Sequence, residues 1–480
     1  MFEAIERPLF RPAINVGGML DIPTGYYELG EHGESILNGG ASAITGIASR
    51  PNNFKSALAV YIVAMIRRAC RNSYGLIYDT EGTFNPQVRF QQISRLDNYL
   101  SAIDYDHDPQ FSFTDLSRYT GDKFFTAFRT AVSVKPKDHK KYMKTTPFLD
   151  IAGKPKPALY PTSGMIDSFS KFQISEVMAT YEKNDIGHSK NNTTDMSTGK
   201  AKNQMFNQLP QLCAQTGTYL VMTAHVGDVI QMEMYPTDKR NLSGMQKDTI
   251  IKGGSGGFYS LPNNVWEIRS NKPLVNKEKM PIYPWDNKTA IEGDTNMTVI
   301  EVRNQRGKGG ISNLPIYLIM TQTEGYQPTL SELHNCRENE WGLGGNLSGN
   351  FYLELRPDVS LHRTTAWQKL TNDPRLARAA EFSSEMLQMI QFHRKLDRSL
   401  MCTPKELYED LKAMGYDWDV LLNTRGYWVF KEEEKDHEKP FLSTMDLLRM
   451  RQSLYKPYWM SKEDKAKITP LLPKEAPKAA

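Results

Sequence analysis

The chain has few cysteines, and none is placed for metal or disulfide chemistry. Cys70, Cys213, Cys336 and Cys402 lie far apart with no C-x-x-C spacing. This argues against a zinc cage or a disulfide framework and fits a reducing cytoplasm. Long hydrophobic runs are missing too: the longest, Ala57 to Ile66, stops at Arg67-Arg68 and is too short to span a bilayer. The opening residues, MFEAIERPLF, carry charge early and hold no apolar stretch, so no secretory signal is expected. No charge of one sign dominates, since 59 basic residues face 55 acidic ones for a net +4. A polyanionic partner is then expected only where the basic residues cluster. No internal repeat is present. What is there, 480 residues at 39% hydrophobic and 24% charged, suffices for two or three globular domains.

The organisation reads in four parts. Residues 1–38 form a Pro- and Gly-rich lead-in. Residues 39–345 read α/β: a helical pattern from Lys55 to Cys70, then strand-like segments GLIYDT, GMIDSF, TYLVMTAHV, NVWEIRS, MTVIEVRN and PIYLIMTQ. Strands alternating with helical patterns predict a wound, mostly parallel sheet. Residues 92–160 are extra material between the first two strands, and include the basic run KPKDHKKYMK, read as a solvated face. DYDHD (104–108) lacks the glycine and spacing of a calcium loop and reads as a polar loop. The Gly-rich stretch 226–260 is an outsized loop, and such loops are usually functional. Residues 351–470 are helical in pattern; Thr403, Pro404 and Glu406 predict an N-cap, a first-turn proline and a capping box. The tail 471–480 reads as disordered.

The second shortage is of glycine where it is wanted. The segment GIASRPNNFKS (46–56) has the Lys-Ser of a phosphate-binding loop feeding a helix, yet Ser49 and Phe54 stand where that loop carries its two glycines. Three later segments supply partners. LIYDTEG ends an apolar strand in Asp79-Thr80-Glu81, and a fixed carboxylate beside the phosphate strand, in the crevice of a wound sheet, can orient or deprotonate an attacking water. SGMIDSF places Asp167 at a strand end, suited to hold magnesium through water, with Ser168 beside it. GTYLVMTAHVGD closes a core strand in Thr223 and His225.

Together and in this order, over about residues 35–340, these segments resemble the RecA/RadA-type strand-exchange recombinases. DTEGTFNP (79–86) is similar to a signature of the archaeal and eukaryotic branch, MIDSF to the Walker B segment, and KGGSGGFYS to the close of the bacterial second DNA-binding loop. The phage UvsX branch also reads Phe-Lys-Ser at the phosphate loop, so Phe54 has a counterpart, whereas Ser49 goes beyond that branch. The resemblance implies a RecA-like ATPase core with a helical C-terminal region. Its cofactors are ATP and Mg2+, bound between protomers of a helical homo-oligomeric filament. It further implies single- and double-stranded DNA as partners, single-strand-binding and mediator proteins beside them, no membrane, and a cytoplasmic setting, that of the bacterial host for a phage protein.

Residue by residue, the resemblance implies a phosphate loop of Ser49, Arg50, Pro51, Asn52, Asn53, Phe54, Lys55 and Ser56. Lys55 would meet phosphate, Ser56 and Asp167 magnesium, Glu81 water, and His225 the γ-phosphate. Arg303 and Arg306 would reach from the next subunit. DNA is expected at Lys239, Arg240, Lys247, Lys252, Phe258 and Tyr259, with Tyr235 among them, because cations beside rings on flexible backbone suit a single strand. Residues 183–203 are a candidate first DNA loop, and FRPA (10–13) a candidate protomer-docking motif. Two alternatives stay open: a ring-forming motor on the same core, and a DNA-bound scaffold whose nucleotide site is weak.

Overall fold

The computed structural model describes residues 9–81, 86–114, 119–183, 189–229, 239–252, 256–307, 312–393 and 396–471. A hairpin of β1 (Tyr26–Leu29) and β2 (Ser35–Asn38) leads into β3 (Ile44–Ser49), helix α1 (Lys55–Ala69) and β4 (Tyr74–Asp79). The segment 92–160 contributes β5 (Phe111–Thr114), the helix Gly121–Val132 and a second hairpin, β6 (Met143–Leu149) with β7 (Pro155–Leu159). Then come β8 (Thr162–Asp167), a long helix Ser189–Thr216, β9 (Thr218–Asp228) and the short β10 (Thr249–Lys252). β11 (Asn264–Pro273), β12 (Met297–Gly307), β13 (Pro315–Thr321) and the two-residue β14 (Gly325–Tyr326) complete the large sheet. A small sheet of β15 (Leu343–Gly345), β16 (Phe351–Leu353) and β17 (Arg356–Leu361) precedes the C-terminal helices.

The central sheet runs β14-β13-β12-β11-β3-β9-β8-β4-β5, with β10 paired to the far end of β9. The six strands from β11 to β5 are mutually parallel, and β12, β13, β14 and β10 are antiparallel additions. This is an α/β protein with a large, mostly parallel sheet. The parallel strands read as unbroken apolar runs because both faces are covered. On β3, Ile47 enters the core that contains α1, while Ile44 and Ala48 enter the opposite core with Phe124, Phe128 and Leu209. Helix α1 is buried along nearly its whole length. No helix among the described residues is long and apolar enough to cross a membrane.

The C-terminal region is mainly helical, and the capping box forms: Thr403 N–H donates to Glu406 at 2.9 Å while Glu406 N–H donates to Thr403 Oγ1 at 3.2 Å. Its apolar residues, Phe382 and Leu447 among them, join the same core as Leu58 and Leu333. FRPA packs within its own chain. Phe10 lies edge-on to Phe148 at 5.5 Å and under the Lys156 ammonium at 4.5 Å, so a docking role in a neighbouring protomer would first require that ring to leave its own pocket. The candidate first DNA loop is corrected in part: from Ser189 onward it is helix, and 184–188 lie outside the described residues.

Several carboxyls are buried where the C-terminal helices meet the lead-in. Asp446 accepts the Ser35 N–H at 2.7 Å, Thr444 donates to Glu385, and Asp21 accepts the N–H groups of Val16 and Gly17. Burial pushes Asp21 and Asp446 up to about 7 and Glu385 to about 8. An acid raised on folding contributes stability that is full below its unfolded value and lost as pH rises to its folded one. Burial holds His437 down at about 3, which opposes this effect below its unfolded value of about 6.5. Burial also holds Lys135 and Lys202 down at about 7 and 8, and they oppose it again above those values. The wild type's advantage in melting temperature over Asp446→Asn, which isolates one acid, is therefore expected to shrink as pH rises from about 4 to 7. Thermal unfolding of both proteins across that interval checks it; a difference that stays constant or widens contradicts the assignment.

Candidate functional site

The parallel register brings the carboxyl ends of four strands to one edge of the sheet. Ser49 of β3 pairs with His225 of β9, Ile166 of β8 with Met222 of β9, and Asp79 of β4 with Asp167 of β8. In one respect the sequence expectation is corrected: β4 is not the neighbour of β3, because β9 and β8 lie between them. Parallel strands require crossover connections, and the order in which those return is not written in any local segment.

Between β3 and α1 the chain makes a tight loop. Asn52 and Phe54 both sit in the left-handed region, at φ of +60° and +59°, a conformation that costs an L-residue about 1–2 kcal/mol. Phe54 thus adopts at the second glycine's position a backbone glycine would adopt freely. Its ring packs against the main core, and that apolar contact offsets the strain. Ser49 is fully buried as the last residue of β3, its hydroxyl donating to the Arg50 carbonyl at 2.7 Å. Pro51 and Asn52 are exposed and Asn53 half-buried. Arg50 forms a two-point pair with Asp228 at 2.6 and 2.9 Å. The helix that follows presents first-turn N–H groups without intrahelical partners and the positive end of its dipole.

Lys55, the first residue of α1, is buried, and its charge favours the ionised forms of both Glu81 and Asp167. Asp167 accepts hydrogen bonds from Ser56 and Thr223. Burial raises its carboxyl above the ordinary range, against those two bonds and the Lys55 charge. Glu81 lies two residues past β4, its N–H donating to Asp79 at 2.9 Å. Its Oε1 lies 2.8 Å from His225 Nε2 and accepts from Ser168 Oγ at 3.2 Å. Burial raises the Glu81 carboxyl, but the His225 hydrogen bond and the Lys55 charge outweigh it and hold it below the ordinary range. Thr80 locks the two strand ends together: its N–H donates to Asp167 O and its hydroxyl to Ser168 O, both at 2.7 Å.

The donor set fits magnesium and a phosphate. Ser56 and Asp167 offer adjacent hard oxygens, and a cation there would relieve the buried Asp167 carboxylate. His225 Nδ1 is buried without a partner among the described residues, so the ring has unused hydrogen-bonding capacity at this edge. A separate cavity of about 1030 Å3, lined by Phe10, Tyr26, Ala43 and Asn264, takes in Ala43 just ahead of β3 and so opens at the opposite edge of the sheet.

The remaining expectations divide. Arg303 and Arg306 are not part of this cluster. They lie on β12 opposite Glu267 and Val265, with Arg303 bound to Glu301 at 2.6 Å and Arg306 donating to Tyr259 O at 3.3 Å. The loop expected from Val226 begins later, since β9 continues to Asp228 and pairs there with β10. Lys239, Arg240, Lys247 and Lys252 are exposed on this segment and Tyr259 is half-buried; Tyr235 falls outside the described residues. Phe258 is corrected outright: it is fully buried, 6.1 Å from Phe206 and 6.2 Å from Phe169, so no base can stack on it. Sequence reasoning missed the bonds by which Thr80 joins two strand ends and the Arg50–Asp228 pair, because both link segments far apart in the chain. Compared with models of known protein families and with curated proteins, the chain matches none.

Proposed function

We propose that this chain is an ATP-dependent recombinase with a RecA-like core, a phage-type protein that forms helical filaments on single-stranded DNA in the host cytoplasm and pairs it with duplex DNA. The observation that carries the reading is the convergence of Lys55, Ser56, Asp167, Glu81 and His225, from α1 and three strand ends, on one edge of the sheet. Bound MgATP would supply the free energy of phosphoanhydride hydrolysis. Lys55 and the first N–H groups of α1 bind phosphate oxygens. Ser56 and Asp167 hold the ion, and Glu81, kept ionised, orients a water and takes its proton. His225 ties Glu81 to β9 and so to the basic segment 239–252, whose exposed cations suit a phosphate backbone. Arg303 and Arg306, which make their own contacts on β12 with Glu301 and the Tyr259 carbonyl, are assigned to the ATP site of a neighbouring protomer.

A second reading, a DNA-bound scaffold with a weak nucleotide site, is favoured by the left-handed non-glycine residues Asn52 and Phe54. ATP hydrolysis measured with and without single-stranded DNA, beside negative-stain images, separates the readings. Helical filaments with DNA-stimulated hydrolysis are expected. Closed rings would favour a motor, and ATP binding without turnover the scaffold.

A further inference from the structure

The turn that follows Asp167 touches both the polar cluster and the basic hairpin. It spans Phe169–Lys171, one short 3-10 turn directly after β8. On one side Ser168 Oγ donates to Glu81 Oε1. On the other, Ser170 Oγ accepts the His225 N–H at 2.9 Å and donates to the Lys252 carbonyl at 2.7 Å. His225 and Lys252 are paired residues at the end of the β9–β10 ladder. The serine hydroxyl therefore stands between two backbone groups that an ordinary ladder joins directly. The turn is held from below by Lys202, whose buried ammonium donates to the carbonyls of Phe169 and Ser170 at 3.2 and 3.4 Å. Burying an ammonium is costly unless it is hydrogen-bonded, and these two carbonyls supply partners for it. Ser170 is thus fixed at its base and committed at its hydroxyl.

We propose that Ser170 is the positioning residue that links the Glu81–His225 pair to the basic β9–β10 hairpin, so that the state of the nucleotide edge sets the hairpin's arrangement. The inference rests on the ATPase and DNA-binding reading above. A shift of His225 when Glu81 changes partner would pull its N–H against Ser170 Oγ, and through that hydroxyl move the Lys252 carbonyl. By linkage, a polyanion held by the hairpin then favours one arrangement of Glu81 and His225 to the same degree.

The test uses the full chain and two variants, Ser170→Ala and Ser170→Thr. Affinity for oligo-dT is measured with ADP and with a non-hydrolysable ATP analogue at one fixed salt concentration. The wild-type ratio of the two affinities is expected to lie within the usual range of about 5–150-fold. Ser170→Ala should bring it to within about twofold of unity, with nucleotide affinity and DNA-free hydrolysis kept, and Ser170→Thr should restore it. In the ligand-free protein, hydrogen exchange at His225 and across 249–252 should quicken in Ser170→Ala alone. A wild-type ratio or unchanged exchange in Ser170→Ala overturns the inference while leaving the ATPase reading intact. A ratio near unity in the wild type itself removes the nucleotide–DNA reading, and this inference with it.

Discussion

Glu81→Gln is expected to bind ATP as the wild type does and to hydrolyse it about a hundredfold or more slowly, the usual cost of losing a general base. The substitution is nearly isosteric, and its amide oxygen still accepts from Ser168 Oγ and His225 Nε2 as Glu81 Oε1 does. The local hydrogen bonds therefore survive while the proton acceptor is lost. Lys55, Ser56 and Asp167, which are assigned to phosphate and ion, keep their positions. Single-turnover hydrolysis beside nucleotide affinity separates the two effects. A variant that turns over ATP near the wild-type rate would assign the water to another group, and Asp79, buried two residues earlier at the end of β4, is the next carboxylate at that edge.

The sequence made the strands and their polar ends legible because burial on both faces leaves long apolar runs that stop where the side chains turn polar. Asp79, Asp167 and His225 were found for that reason. What it hid depends on pairing between distant segments. The order β3-β9-β8-β4 is set by crossovers, so Glu81 seemed to adjoin the phosphate loop's strand when it does not. Phe258, in a Gly-rich stretch with basic neighbours, reads locally as a stacking platform. It is buried by distant segments: Phe169 and Phe206 pack on it, and Gly46 on β3, where a Cβ would come within 3.2 Å of the ring, lets it lie close to the sheet. The absence of that Cβ makes room for the ring, and no local pattern records it. β10 escaped notice for the same reason: it is four residues long and exists as a partner to the end of β9. Phe54 is the opposite case. Its place in the motif called for a left-handed backbone, and φ of +59° is what it adopts.

His225→Ala is expected to move the acidic limb of the pH–rate profile for hydrolysis to higher pH. Glu81 must be ionised to take a proton, and the limb marks where it protonates. Burial alone raises its carboxyl; the hydrogen bond from His225 is the first of the contributions that bring it below the ordinary range. Removing that donor leaves burial less opposed, so the carboxyl holds its proton to higher pH and the limb follows it upward. His225→Gln, which keeps an N–H donor, should hold the limb closer to the wild type. The same ring joins Glu81 to the strand that carries the basic hairpin, so His225→Ala should also lose the mutual enhancement of ATP and DNA binding, typically about 1–3 kcal/mol. The backbone N–H of residue 225 is untouched, and its bond to Ser170 Oγ persists. The two substitutions therefore have different signatures. Ser170→Ala uncouples the sites and leaves the acidic limb in place, whereas His225→Ala uncouples them and moves the limb. Hydrolysis measured from about pH 5 to 8 with and without oligo-dT reads both. An unshifted limb in His225→Ala would show that its contact with Glu81 is structural, and that the proton-accepting state of Glu81 is set by the Lys55 charge and the Ser168 hydrogen bond.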